Sequence, residues 1–99
     1  MKAGYVYVIK DVSVTGYHKI GRTNNPERRL REFTVKLPFE THLVMLIESE
    51  NAAALEKSLH SLLNYTRIRG EWFDLGHDEI QYLKSMYEYT IAWKAMQSC

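Results

Sequence analysis

A phenol within reach of two cations is suited to holding a phosphate, and the first part of this chain offers such a set. Tyr7 lies in the run GYVYVIK, residues 4–10, and Lys19 and Arg22 lie in the run YHKIGR, residues 17–22. Two short strands facing each other across a turn would bring Tyr7 close to Lys19 and Arg22. Arg28, Arg29 and Arg31 follow, so that five cations fall between residues 19 and 31. Further on, Glu56 and His60 are four apart and share one edge of an expected helix. That spacing suits a metal pair, a histidine that orients the carboxylate, or a plain ion pair on a helix surface. Taken singly, each of these residues has a structural explanation. Tyr7 can be a core tyrosine, Lys19 and Arg22 the exposed ends of a hairpin, Arg29 a surface charge, and Glu56 a boundary residue.

Composition narrows the class. The 99 residues carry a net charge of +1, and their number suits one domain over 1–99. The balance is uneven: residues 1–40 hold eight Lys/Arg against four Asp/Glu, and residues 41–99 hold five against eight. A basic half on a near-neutral chain is compatible with contacting a polyanion. The single cysteine is Cys99, which excludes a disulfide framework and a cysteine-based metal site. No apolar run is long enough to span a bilayer, and the start MKAGYVYVIKD has too interrupted an apolar stretch for a signal peptide. A cytoplasmic protein with no membrane partner is expected.

The elements that must position these side chains can be read in order. Residues 4–10 read as a strand with Tyr5, Tyr7 and Ile9 on one face and Val6, Val8 and Lys10 on the other. Residues 11–16 are turn material, and 17–22 form the antiparallel return. Asn24 or Asn25 can cap a helix that has Pro26 at its first position and Glu27 in its first turn. Leu30 with Phe33 or Thr34 gives that helix a narrow apolar seam, and Arg29 shares a face with Phe33. Residues 41–48, THLVMLIE, read as a strand buried on both faces.

Asn51 can cap a second helix whose core stripe is Leu55, Leu59, Leu62 and Leu63. Residues 65–70 read as a basic connection, and 71–75, EWFDL, as a short strand closing the core, with Trp72 packed under the sheet. A last helix, capped by Asp78, shows two apolar rows: Ile80, Leu83, Tyr87 and Ile91, and Tyr82, Met86, Tyr89 and Trp93. The second row implies either wrapping around the domain or a homodimer through this helix. The order β-β-α-β-α-(β)-α predicts an α+β fold, a small antiparallel sheet of about three strands flanked by helices.

In that order, the pieces VYV, KIGRT, PER, ALEKSLH and EWF resemble the GIY-YIG nuclease superfamily. Within it they are similar to the compact branch named after a phage T5 reading frame. The resemblance covers residues 4–75. It implies a metal-dependent endonuclease that hydrolyses DNA, with RNA as the other candidate, using one Mg²⁺ or Mn²⁺. The family's first motif falls on Tyr5-Val6-Tyr7, which makes Tyr7 the functional tyrosine and Tyr5 auxiliary. The second falls on Lys19-Ile20-Gly21, with lysine in place of tyrosine. The helix arginine falls on Arg29 and the metal-binding glutamate on Glu56.

The resemblance thus implies that Tyr7, Lys19, Arg29 and Glu56 are catalytic and that Arg22, Arg28 and Arg31 contact nucleic acid. His60 is the auxiliary partner of Glu56. The histidine that many members carry four residues after the arginine is Phe33 here, and the family's late asparagine has no counterpart. Elementary chemistry is consistent with these roles. A carboxylate is a hard ligand for Mg²⁺, a guanidinium forks onto phosphate, and a phenol with a reference pKa near ~10 needs a cation such as Lys19 or Arg22 to become a base. An inactive nucleic-acid-binding module of the same fold is the alternative.

Overall fold

The computed structural model describes residues 3–98, with side chains through Tyr87. Strand β1 (Gly4–Asp11) turns into β2 (His18–Thr23), and α1 (Pro26–Lys36) leads to β3 (Thr41–Ser49). Helix α2 (Ala52–Leu62) and one 3₁₀ turn (Asn64–Thr66) lead to two short strands, β4 (Arg67–Arg69) and β5 (Trp72–Phe73). Helix α3 (His77–Ser98) follows. The class is α+β, as expected, but the sheet has five strands in the order β3-β1-β2-β5-β4 rather than about three. The extra strand is β4: Gly70, at a φ of 58°, lets the supposed basic connection fold back on β5 as a tight hairpin.

The β1–β2 turn is built around Asp11. Its carboxylate accepts hydrogen bonds from the backbone of Ser13, Val14 and Thr15 and from the Thr15 hydroxyl at 2.7 Å. Gly16 supplies a φ of 76° that other residues resist. The register pairs Tyr7 with Gly21, Ile9 with Lys19, and Val6 with Arg22. Paired residues share a face, so this register decides which groups can meet.

The two faces of the sheet are filled differently. On one face Val6, Val8, Ile20, Met45, Ile47 and Phe73 pack against Leu59 and Leu63 of α2 and Leu83 of α3. On the other, Tyr7 and Ile9 pack against Phe33 of α1, with Leu30, Leu37 and Leu46 around them. The Asn25 side chain accepts from the Arg28 amide and caps α1, and Asn51 does the same for α2 through the Ala54 amide.

Several expectations need correction. Strand β3 lies at the sheet edge and is only half covered, with Leu43 exposed, because its apolar run meets a partner strand on one side only. Leu62 is exposed and does not belong to the α2 stripe, since the stripe follows Leu55, Leu59 and Leu63. Helix α3 begins one residue before Asp78. Gly76 takes the capping position, its carbonyl accepting from the Ile80 amide and its own amide donating to Glu79. Ile80, Leu83 and Tyr87 face the core, whereas Tyr82 and Met86 are exposed. The side chains of Tyr89, Ile91 and Trp93, on which self-association through this helix partly rested, lie outside the described residues. Among the described residues no helix is long and apolar enough to cross a membrane.

Candidate functional site

Gly21 explains the central geometry. A Cβ at this position would lie 2.3 Å from the Tyr7 hydroxyl oxygen and 2.5 Å from Cζ, and 3.0 Å from Glu71 Oε1. The Tyr7 ring therefore lies across the bare backbone of its cross-strand partner. A side chain there would occupy the space that the phenol fills, which is the physical reason for glycine at this position.

Tyr7 is almost wholly buried. Phe33 meets its ring edge-on at 5.5 Å. Arg29 of α1 is near enough to favour the ionised phenol, and it is set in place by Phe33, whose ring centre is 5.2 Å from the guanidinium carbon. Burial pushes the Tyr7 phenol above its usual pKa. Arg29 opposes the rise, while the charges of Glu71 and Glu56 add to it. The cation beside Tyr7 is thus Arg29, and the phenol is held neutral in the free protein. The Arg29 Nε is buried without a hydrogen-bond partner, and its Nη1 lies 3.8 Å from Glu32 Oε2.

Lys19 shares the Tyr7 face, two pairs further along the ladder. Its ammonium donates to Glu71 Oε1 at 2.9 Å and sits 5.7 Å from the centre of the Trp72 ring. Trp72 meets Phe39 edge-on at this end of the sheet, and the aromatic that closes the deep core is its neighbour Phe73.

Arg22 does not join Tyr7. It pairs with Val6 and so points to the opposite face, because side chains alternate along a strand. There its charge acts on the Glu56 carboxyl, and it lines a groove with Thr23, Asn24 and Ala53. Arg28 and Arg31 are exposed on α1, with Arg28 4.0 Å from Glu32. The Tyr5 hydroxyl lies 3.5 Å from Glu48 of β3.

Glu56 comes from α2, partly covered. Burial first, and then the charge of Glu71, raise its pKa above the usual carboxyl range, while His60, Arg22 and Lys19 pull it down. His60 turns to the strand: its Nε2 lies 2.8 Å from the Ile20 carbonyl oxygen, and its ring lies tilted at 50° with its centre 5.1 Å from that of Phe73. As donor to that carbonyl, Nε2 ties α2 to β2 and so fixes where Glu56 emerges. A metal pair with Glu56 through that nitrogen does not fit this geometry. Among the described residues no group of three or more His, Cys, Asp or Glu side chains is arranged to hold a metal. A divalent ion would rest on Glu56, with water and substrate oxygens filling its other positions, as is common for Mg²⁺. The mutual repulsion of Glu56 and Glu71 fits a place where positive charge is accepted.

Sequence reasoning missed Glu71. It precedes a two-residue strand and belongs to no spacing with Tyr7, Lys19 or Glu56. Yet its side chain reaches Lys19 and its charge acts on Tyr7, Arg29 and Glu56. Only the β2–β5 pairing brings it there: Lys19 pairs with Trp72, and the Ile20 amide donates to the Glu71 carbonyl at 3.0 Å. A lysine flanked by apolar strand residues was the available signal, since such an ammonium calls for a carboxylate partner.

Residues 4–88 match the T5orf172 domain, and the chain belongs to that family. The match extends into α3, to residue 88, further than the resemblance over residues 4–75. No curated protein and no solved structure matches the chain.

Proposed function

On the premise that this chain is a T5orf172 domain, we propose that it is a metal-dependent endonuclease of the GIY-YIG type that hydrolyses the DNA backbone. The observation that supports this most is the packing of Tyr7 and Arg29 around the Phe33 ring, with Glu56 near enough for its charge to act on the phenol. A phosphodiester brings negative oxygens that can fork onto a guanidinium. Arg29 holds the phosphate, and the neutral Tyr7 phenol orients the attacking water by hydrogen bonding. Lys19 adds a positive charge on the same face, where charge that develops in the transition state is stabilised without reorganisation. A bound Mg²⁺ or Mn²⁺ supplies Lewis-acid stabilisation of that charge, and Glu56 is the residue that would hold it. Arg28, Arg31 and, from the other face, Arg22 contact the backbone away from the reacting phosphate.

The test is nicking of supercoiled plasmid DNA in Mg²⁺ or Mn²⁺, with an RNA substrate in parallel. Wild type nicks the plasmid, and Glu56→Ala and Arg29→Ala do not. Equal background cleavage by all three proteins, insensitive to EDTA, would remove the enzyme reading.

One observation favours a second reading, a binding module that cuts nothing. Tyr7 is held neutral by burial and by two carboxylates, which disfavours it as a base. Such a module binds nucleic acid with a steep salt dependence. Thermal stabilisation by Mn²⁺ that vanishes in Glu56→Ala separates the two in favour of the enzyme.

A further inference from the structure

We propose that Glu71 is a positioning residue that anchors the Lys19 ammonium beside the Tyr7–Gly21 pair, fixing it as the cation that meets the reacting phosphate. This rests on the nuclease reading above and gives a role to a side chain that reading leaves unused.

The anchoring is geometric. The Lys19 side chain is only 16% exposed, and its ammonium is 2.9 Å from Glu71 Oε1. An ammonium this enclosed requires a partner, and a lysine stem has four rotatable carbons that a single hydrogen bond must hold still. Glu71 does not depend on side-chain torsions alone for its place. Its backbone carbonyl accepts from Ile20, and Trp72, the next residue, pairs with Lys19 and carries the ammonium over its ring. The same Oε1 is 3.0 Å from the point where a Gly21 Cβ would sit, and the Tyr7 hydroxyl is 2.3 Å from that point. Carboxylate and phenol therefore meet over one glycine, and the carboxylate holds the ammonium.

The sign of the charge distinguishes this role from simple affinity. A carboxylate beside a phosphate site repels the substrate. A surface built only to bind a polyanion is better without it, whereas a site that must hold one ammonium in register with a reacting group needs it. Removing the charge is thus expected to separate binding from turnover: the substrate binds as well or better, and cleavage slows because Lys19 is no longer held. Misplacing a catalytic group by about 1 Å costs on the order of 10²-fold in rate.

The test uses the full chain with Glu71→Gln, which keeps the size of the side chain and removes the charge that holds Lys19, and with Glu71→Asp, Lys19→Met and the Glu71→Gln/Lys19→Met double variant. Three readouts are taken: single-turnover plasmid cleavage in Mg²⁺, affinity for a labelled DNA duplex in Ca²⁺, and the ¹⁵N–¹H NMR signal of the Lys19 ammonium. In Glu71→Gln the rate is expected to fall about 10²-fold, with duplex affinity unchanged or tighter and the Lys19 signal broadened away. Glu71→Asp regains part of the rate, and the double variant is no slower than Lys19→Met alone. Wild-type cleavage by Glu71→Gln overturns the proposal, as does duplex affinity falling in step with the rate, or a Lys19 signal that persists. If wild type does not cut at all, the nuclease reading fails by itself. The Lys19 signal then decides the positioning role: loss in Glu71→Gln supports it and persistence overturns it.

Discussion

The two faces of the sheet solve different problems with the same strands. The face carrying Val6, Val8 and Ile20 is apolar and is covered by α2 and α3. The face carrying Tyr7, Ile9, Lys19 and Gly21 has a small apolar patch under α1, and beyond it charged groups stand at the margin of the core. The first face stabilises by burying area, at roughly 25 cal/mol per Å² of apolar surface. The second holds a partly exposed ion pair, Lys19 with Glu71, which stabilises little on its own. A face that holds an ion-paired ammonium and a buried phenol beside Glu71, with the charge of Glu56 reaching them from α2, adds little stability and fits the proposed chemistry.

This contrast can be broken experimentally. The largest effect is expected from Tyr7→Phe, which removes only a hydroxyl from the charged face. Plasmid cleavage should fall by about 10²- to 10⁴-fold while the melting temperature, read by circular dichroism, moves little. A large loss of stability with intact cleavage would reverse the assignment of that face. Phe73→Ala acts on the other face. Truncating a fully buried ring there should cost about 3–5 kcal/mol in urea unfolding, and activity should fall only with the folded fraction.

Gly21→Ala lies between the two cases. The added Cβ would meet the phenol at 2.3 Å, so either the ring or the strand must shift. Overpacking of this kind is worth about 1–3 kcal/mol, and cleavage should fall further than the loss of stability explains. Equal stability and activity in Gly21→Ala would mean that the Tyr7 ring has another place to go.

The smallest effect on cleavage is expected from two groups that act on acid stability. His18, buried at the end of the dry face, is pushed down to about 4, mainly by burial and then by Lys10, with Asp74 opposing. Its folded pKa lies below its unfolded value. The stability it contributes is therefore present above about pH 6.5 and is lost as the pH falls towards 4, with a slope of at most about 1.4 kcal/mol per pH unit. His18→Leu should flatten that segment of the unfolding curve.

Asp11 acts lower down. Burial raises its pKa, but the hydrogen bonds from Thr15, Val14 and Ser13 outweigh this and hold it at about 2. Its contribution is present above about pH 4 and disappears as the pH falls through 2. Asp11→Asn should lose the stability change in that window alone, as read by urea titrations at successive pH values.

Much of this arrangement was legible in the residues themselves. Alternation in residues 4–10 separated Tyr7 from Val6 and Val8 correctly, because a strand has a fixed period of two. The caps at Asn25 and Asn51 and the pairing of Arg29 with Phe33 followed from local chemistry over three or four residues. What local pattern could not supply was register and long-range pairing. Arg22 shares a motif with Lys19 but falls on the opposite face, because three positions along a strand exchange the side. Strand β3 was read as doubly buried because its apolar composition does not reveal that it lies at the edge.

Composition, period and capping thus determined most of the elements and the α+β class, and the family resemblance singled out Tyr7, Lys19, Arg29 and Glu56 as candidates. The tertiary structure alone decided which of them meet. It laid the phenol over Gly21, made Arg29 rather than Lys19 or Arg22 its cation, and turned His60 to the Ile20 carbonyl. It also brought Glu71 across fifty-two positions to Lys19. The physical reason is that an ion pair between distant residues leaves no periodicity in a chain. It exists only once backbone hydrogen bonds between strands have set two remote segments side by side.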